Sequence, residues 1–323
     1  MLEAPEFWTK PGLLSGLLLP LGWGHAALGA TRRRLSRAWR APVPVICVGN
    51  LVAGGAGKTP VSLSLARIMT EAGLAPHILS RGYRGRLSGP LRVDPAQHGA
   101  ADVGDEPLLL ARAAPTWIGE DRVASARAAI AAGAGILLLD DGFQNPHLHQ
   151  DLALVVIDGA YGLGNGRVIP AGPLREPAET GLARAAAVVV MGEQRCDLAL
   201  AGKPLLRARL QPRGGDCCQH KRVVAFAGIG QPKKFFATLE EIGAVLVGVH
   251  AFADHHPYRD TELARLAAEA SEKDAALVTT EKDWVRIAPA WRQRLKALPV
   301  EVEWEDDAAL RRILAPAMER AHG

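Results

Sequence analysis

The segment VICVGNLVAGGAGKTP, residues 45–60, constrains the fold of this chain more than any other. An apolar, β-branched run passes into four glycines within nine residues and then into Lys58-Thr59-Pro60. Such a run reads as a strand, a tight glycine loop and the first turn of a helix, where Pro is tolerated because its missing N–H would be unpaired anyway. It resembles the phosphate-cradling pattern GxxxxGK[ST], in which backbone N–H groups and a helix N-terminus face phosphate oxygens. Val52 stands where the pattern has its leading glycine, yet Gly49, Gly54, Gly55 and Gly57 leave ample backbone freedom. A nucleotide would lie against Asn50, Gly54, Gly55, Ala56, Gly57, Lys58 and Thr59. In that arrangement Lys58 contacts the β- and γ-phosphates and Thr59 ligates Mg²⁺.

Along the rest of the chain, short apolar runs alternate with alanine-rich stretches of helical length. Strands are expected at 43–48, 76–79, 116–118, 136–139, 152–157, 187–191, 222–227, 245–250, 275–279 and 300–304. Helices are expected at 59–72, 106–114, 122–132, 233–242, 260–271 and 308–321. This alternation predicts an α/β protein whose parallel sheets are covered on both faces. The unbroken ILLLD run at 136–140 has the pattern of a strand buried on both sides. A length of 323 residues suits two domains. The expected division is an N-terminal segment 1–42, a domain 43–185, a Gly/Pro/Arg-rich connector 186–221 with LLRARLQP extended, and a domain 222–323.

Several short motifs carry chemistry. ILLLDDGFQ ends a strand on Asp140-Asp141, the place where a phosphate-loop protein needs a carboxylate for its metal, one Asp holding Mg²⁺ directly or through water and its neighbour orienting it. VGDEP puts Asp105 and Glu106 at a helix start, where capping and catalytic readings compete evenly. SRGYRG sets Arg81 and Arg84 on a glycine-flanked loop, and PAGPLREP holds Arg175 in a stiff one; both suit anionic groups. FADHHPY follows a strand with Asp254, His255 and His256, where a base or orienting role fits better than a metal site, and the residues alone do not separate the two histidines. HLH at 147–149 reads as ordinary turn residues.

The N-terminus is set apart by its composition. Residues 13–30, LLSGLLLPLGWGHAALGA, precede five arginines between Arg32 and Arg40. The run is short for a spanning helix and carries Pro20, His25 and four glycines. With Trp8, Trp23 and Trp39 nearby it suits a membrane interface, aromatic rings at headgroup level and arginines against anionic lipid; a helix packed on the domain with a solvated basic end is the alternative. Hydrophobic residues at 48% and charged residues at 22% exclude a largely disordered chain. The net charge of +4 is only mildly basic. No nucleic-acid partner is expected, and the chain is expected to be a monomer. Cys47, Cys196, Cys217 and Cys218 show no CxxC spacing and no cleavable signal peptide precedes them, which fits a reduced setting, with Cys217-Cys218 as small loop residues.

Taken in order, VGNLVAGGAGKTP, SRGYRG, VGDEP, LLLDDGFQ, IPAGPLREP, GIGQPKKFF, FADHHPY and TTEKDWVR closely resemble the tetraacyldisaccharide 4'-kinase family of Gram-negative bacteria, over nearly the whole chain. The resemblance implies a membrane-associated enzyme at the cytoplasmic face of the inner membrane. Such an enzyme uses ATP and Mg²⁺ to phosphorylate the 4'-hydroxyl of tetraacyldisaccharide 1-phosphate, giving lipid IVA. It further implies two α/β/α domains, a P-loop NTPase domain and a smaller Rossmann-like one joined by a short β connector, with the site in the cleft between them. By motif, Asp105 is the expected base and His255, the position after the Asp of FADHH, its dyad partner. Glu106 reaches the metal beside Thr59, Asp140 and Asp141. Lys58 and Arg175 stabilise charge, and Arg81, Tyr83, Arg84, Arg122, Gln144 and His256 are candidate substrate contacts. The family pattern has a small hydroxyl residue where Val52 stands.

Two rival readings are weaker. Membrane-associated switch ATPases of the deviant-Walker type carry KGGxGK[ST], and Ala53 occupies their lysine position here. A GTPase would need an NKxD element, which TTEKD at 279–283 resembles only superficially. A non-catalytic scaffold would leave DDGFQ, VGDEP and DHH without a role.

Overall fold

A computed structural model describes residues 5–198, 200, 202–214 and 218–322. Two helices, α1 (Leu13–Leu17) and α2 (Leu19–Leu35), precede β1 (Val45–Gly49), α3 (Lys58–Glu71), β2 (Pro76–Ser80) and β3 (Leu91–Arg92). Then come α4 (Ala100–Val103), α5 (Asp105–Leu110), β4 (Thr116–Ile118), α6 (Arg122–Ala131), β5 (Ile136–Asp140), β6 (Leu152–Asp158), α7 (Ala178–Arg184), β7 (Ala187–Met191) and β8 (Leu205–Pro212). The remainder is β9 (Arg222–Ala227), α8 (Pro232–Glu241), β10 (Val245–Ala251), α9 (Asp260–Glu272), β11 (Ala276–Thr280), α10 (Glu281–Trp284), α11 (Pro289–Arg292), β12 (Lys296–Leu298), β13 (Val300–Trp304) and α12 (Asp307–His322).

These strands form two sheets. The larger has nine strands in the order β13-β8-β7-β6-β1-β5-β2-β4-β3, parallel except for the antiparallel edges β13 and β3. Its central strands are buried on both faces, as the continuous apolar runs predict. Val61, Leu65 and Met69 of α3 cover one face together with Leu310 and Leu314 of α12. Ala126 and Ala129 of α6, Phe143 and Leu182 cover the other. The smaller sheet, β10-β9-β11-β12, is parallel throughout, with Phe235 and Leu239 of α8 on one face and Leu263 and Leu266 of α9 on the other.

The division of the chain differs from the sequence expectation in two places. LLRARLQP is extended, as the sequence leads one to expect, but it belongs to the larger sheet: as β8 it pairs with β7, buries Leu206 and Ala208 and turns Arg207 and Arg209 outward, a half-buried strand with a period of two. The last residues do not stay with the smaller sheet. β13 pairs with β8, and Leu310, Leu314 and Ala317 of α12 enter the core of the larger one. The boundary at 222–323 is therefore corrected: residues 300–322 return to the first sheet because β8 offers an edge and the face beside α3 needs cover. The helix expected at 106–114 ends at Leu110 in turns, short of Pro115, whose ring disfavours helical backbone before it.

The N-terminal helices lie partly docked. Gly22 of α2 sits so close to the 168–171 loop that a Cβ there would come 2.9 Å from the Val168 carbonyl oxygen. Arg167 donates to the buried Ser15 hydroxyl at 2.8 Å, and Arg33 pairs with Glu176 at 3.3 Å. The opposite face leaves Leu13, Leu17, Leu21, Trp23, Leu28 and Leu35 exposed. Trp39 is not on that face: its backbone bridges Leu148, using the HLH segment as a partner, and its ring lies under Arg127 against the core. Among the described residues no helix is long and apolar enough to cross a membrane. Cys218 is buried in the smaller core, and Cys217 lies outside the described residues.

Candidate active site

The site assembles where the C-terminal ends of the two sheets face each other. β1 ends at Gly49, and the glycine loop carries the chain to α3, whose N-cap Gly57 has φ +86°, a conformation glycine adopts without strain. Asn50 is fully buried and ties the loop together, its amide donating to the carbonyls of Val52 at 2.7 Å and Gly54 at 3.2 Å. Lys58 reaches back over the loop to the Gly54 carbonyl at 3.3 Å, and Thr59 follows it in the first helical turn.

β5, the neighbour of β1, delivers the two aspartates into different surroundings. Asp140 is buried and accepts a 2.6 Å hydrogen bond from Ser62 of α3. Burial pushes its carboxyl up to about 7, and the nearby Glu106 carboxylate adds to the rise. Asp141 has the left-handed φ of +49° and lies between two cations, Arg175 at 2.8 Å and Lys58 at 3.8 Å. Burial works to raise its carboxyl, but Lys58 and Arg175 outweigh burial and hold it below the usual range. Gln144 braces this corner, its amide donating to the Asn50 carbonyl at 2.9 Å and to Glu176 at 3.1 Å.

On the same side of the cleft, α5 packs against α3 and β4 and presents Asp105 and Glu106. Gly104 makes this possible: its φ is +89°, and a Cβ there would come 2.5 Å from the Tyr83 carbonyl, so only glycine lets the SRGYRG loop pack against the start of α5. Asp105 Oδ2 lies 2.8 Å from His255 Nδ1, which comes from the turn after β10 in the smaller sheet, 150 residues away in sequence. Both are nearly buried. Burial works to raise the Asp105 carboxyl, but the His255 hydrogen bond and the charges of Lys282 and Arg286 keep it below the usual range, so it is ionised at neutral pH. His255 is itself held at φ +60°, a conformation a non-glycine residue keeps only when its surroundings impose it. Tyr83 stands edge-on to its ring at 6.4 Å.

The remaining sequence-selected residues divide by environment. Arg81 is exposed beside Glu120, and Arg84 lies over the Tyr83 ring. Arg122 is buried, with its guanidinium on the Ser80 carbonyl at 2.9 Å and also on the Gly119 carbonyl, so it pins the backbone on which the SRGYRG loop stands, while its charge reaches Asp140 and Asp141. His256 is turned to Glu262 at 3.0 Å and stacked on Phe252, away from Asp105. The structure thereby distinguishes the two histidines that sequence left level.

Sequence reasoning gave no role to TTEKDWVR, yet it supplies two of the cations nearest Asp105. Lys282 pairs with Glu106 at 3.2 Å, and Arg286 Nε lies 3.5 Å from Asp105. Their placement depends on how the second sheet meets α5, which no local pattern encodes; the charge of EKDWVR and the place of TTEKDWVR among the family-like motifs were the signals. Ser62, Glu176 and Arg184, paired to Glu176 at 2.8 Å, were missed for the same reason.

The oxygen donors gathered here fit magnesium, which takes hard oxygen ligands, usually one or two carboxylates plus phosphates. Thr59, Asp140, Asp141 and Glu106 supply hydroxyl and carboxylate oxygens, and Asp140, raised chiefly by burial and further by the Glu106 carboxylate, is a carboxyl whose ionised form a cation would favour. Among the described residues no three His, Cys, Asp or Glu side chains form a metal cage alone.

The sequence model of one family, described as tetraacyldisaccharide-1-P 4'-kinase, matches residues 14–319. A protein named tetraacyldisaccharide 4'-kinase from Rhodospirillum centenum is 56% identical, the match covering 98% of this chain and 97% of that protein. One of the same name from Paramagnetospirillum magneticum is 52% identical over 96% and 97% of the two chains. Among solved structures, LpxK from Aquifex aeolicus in complex with ATP superposes with a TM-score of 0.78 at 27% identity, covering 95% of this chain and 100% of that one.

Proposed function

The chain belongs to the tetraacyldisaccharide-1-P 4'-kinase family, and from that premise we propose that it transfers the γ-phosphate of ATP to the 4'-hydroxyl of tetraacyldisaccharide 1-phosphate, giving lipid IVA in lipid A biosynthesis. The observation that carries the reading is the Asp105–His255 pair, set opposite a glycine loop with Lys58 at its helix start. The deviant-Walker switch ATPase has no such pair to explain and is set aside.

In the proposed mechanism, the nucleotide phosphates lie along the backbone of residues 54–59, with Lys58 and Arg175 countering their charge. Magnesium bound with the nucleotide would be held by Thr59, Asp140 and Asp141, with Glu106 in reach, and supplies charge neutralisation on the β- and γ-phosphates. Asp105 Oδ2 meets His255 Nδ1, and His255 Nε2 stands 3.6 Å from Asp254; a neutral imidazole that donates from Nδ1 to Asp105 has its lone pair on Nε2. The pair takes the proton of the sugar hydroxyl as its oxygen bonds to the γ-phosphorus and the bond to the ADP oxygen breaks. Arg81, Tyr83 and Arg84 are the proposed contacts of the phosphorylated disaccharide; what supports this is that the three are exposed and that Tyr83 stands edge-on to His255.

The proposed location is the cytoplasmic face of the inner membrane of a Gram-negative bacterium, with peripheral contact through α1 and α2. Their exposed leucines and Trp23 beside Arg32, Arg34 and Arg37 support this, since apolar side chains next to arginines partition to an anionic lipid surface. The test is to incubate the purified protein in detergent with Mg·ATP and tetraacyldisaccharide 1-phosphate and to weigh the lipid by mass spectrometry. A gain of one phosphate is expected; an unmodified lipid under conditions where ATP binds overturns the assignment.

A further inference from the structure

Arg286 is a charged side chain only 5% exposed, with Asp105 3.5 Å away and further contacts that reach the His255 turn. Its base is Asp283, which is fully buried. Asp283 accepts from the Gly228 N–H at 2.9 Å, the Tyr258 hydroxyl at 2.6 Å, the Thr280 hydroxyl at 2.6 Å and Arg286 Nη2 at 2.8 Å. A carboxylate with its acceptor sites so filled has one orientation, and the planar guanidinium seated on it inherits that orientation. The same Nη2 donates to the Gly228 carbonyl at 2.9 Å, and Nη1 lies 3.4 Å from the His256 carbonyl. The His255 backbone N–H donates to that same Gly228 carbonyl at 3.0 Å. Arg286 thus grips the turn that holds His255 at its positive φ. Its remaining edge, Nε, donates to the Lys282 carbonyl at 3.0 Å and faces Asp105 Oδ2 at 3.5 Å, the oxygen that meets His255.

The placement has a topological cause. β9 runs first, β10 is laid on one side of it and β11 on the other, so the C-terminal ends of β9, β10 and β11 open one crevice. Gly228 follows β9, His255 follows β10, and Asp283 with Arg286 follows β11. All three loops of the smaller sheet meet at the guanidinium, and α5 of the larger sheet brings Asp105 to it.

We propose that Arg286, seated on Asp283, is the positioning residue of the Asp105–His255 pair, fixing the His255 turn through backbone carbonyls and drawing the Asp105 carboxylate against the imidazole. Its role is alignment, and it touches neither nucleotide nor sugar. The inference rests on the pair acting as the base, so wild-type turnover is measured first; absence of lipid phosphorylation by the wild type counts against the function, not against Arg286.

The test compares Arg286→Lys, Arg286→Gln, His255→Ala and the double variant Arg286→Lys/His255→Ala. Lysine keeps the charge and loses the fork, which guards against misfolding from an uncompensated Asp283. Activity is expressed per ATP-binding site, measured by nucleotide titration, so that any unfolded fraction is removed. Arg286→Lys is expected to lower kcat on the order of 10²-fold, the scale of a misplaced catalytic group, with KM for ATP within about 3-fold of wild type and Arg286→Gln slower still. In the His255→Ala background the same lysine substitution is expected to change kcat by less than about 3-fold, because a residue acting through His255 has nothing left to align. Full kcat per site in Arg286→Lys overturns the proposal. So does a loss in the double variant equal to the product of the two single losses.

Discussion

At the scale of single residues, the two halves of the site are tuned in opposite directions by their surroundings. Asp140 is buried against Ser62 with other carboxylates near, and its proton is held until about pH 7. Asp105 is nearly as buried but meets His255, Lys282 and Arg286, and it stays ionised. A carboxylate ready to accept and another waiting for a cation are what proton removal and metal binding respectively require. If Asp105 serves the first task, Asp105→Ala lowers kcat by roughly 10²- to 10⁴-fold and leaves the dissociation constant of ATP, read by titration, within a few-fold of wild type. Loss of ATP binding in a folded variant would move Asp105 into the nucleotide site. The sequence showed Asp105 as a residue fit equally for a helix cap, because the feature that distinguishes it is a histidine 150 residues away.

Among the elements, α2 joins two environments. One face is fastened by Gly22 against the 168–171 loop and by Arg33 on Glu176, a carboxylate that also receives Gln144 from the nucleotide side. The other face exposes Leu21, Trp23 and Leu28. Each such side chain is worth about 1.5–3 kcal/mol on full burial, so replacing Leu17, Leu21, Trp23 and Leu28 by serine is expected to cut partitioning into phosphatidylglycerol vesicles by at least 10-fold, with ATP affinity unchanged. Equal sedimentation with vesicles by variant and wild type would defeat the interfacial reading. The sequence weighed interface against packed helix as alternatives. A helix has two faces, and their assignment depends on the loop that happens to lie beneath one of them.

For the whole molecule, the decisive feature is that the chain crosses between the sheets twice. It leaves the larger sheet after β8, builds β9 to β12, and returns as β13 and α12. Arg320 locks the return, donating to the Asp151 carboxylate from Nη1 at 2.6 Å and Nη2 at 3.0 Å. Two crossings restrict how far the sheets can part and keep α5 against the loops of the smaller sheet, where Val285 packs with Val103, Leu108 and Ile118. A fragment of residues 5–221 is therefore expected to lack a cooperative melt and ATP binding, since β8 loses its edge partner and the core loses Leu310 and Leu314. Joining residues 300–322 to that fragment through a short glycine-serine linker is expected to restore both. A fragment of 5–221 that binds ATP unaided would show that the return is dispensable.

What the sequence determined by itself was whatever depends on neighbours along the chain: the strand, glycine loop and helix start around Lys58, the doubly buried run into Asp140, and the parallel character of the sheets. Each follows from periodicity and backbone freedom over a few residues, and the ordered motifs were enough to indicate the family. The tertiary structure alone decided which histidine meets Asp105, why EKDWVR carries so much charge, that Arg122 props a loop from beneath, and to which sheet the last residues belong. Those outcomes turn on side chains brought together by sheet order and by the meeting of two sheets, and no local pattern records a contact between residues that far apart.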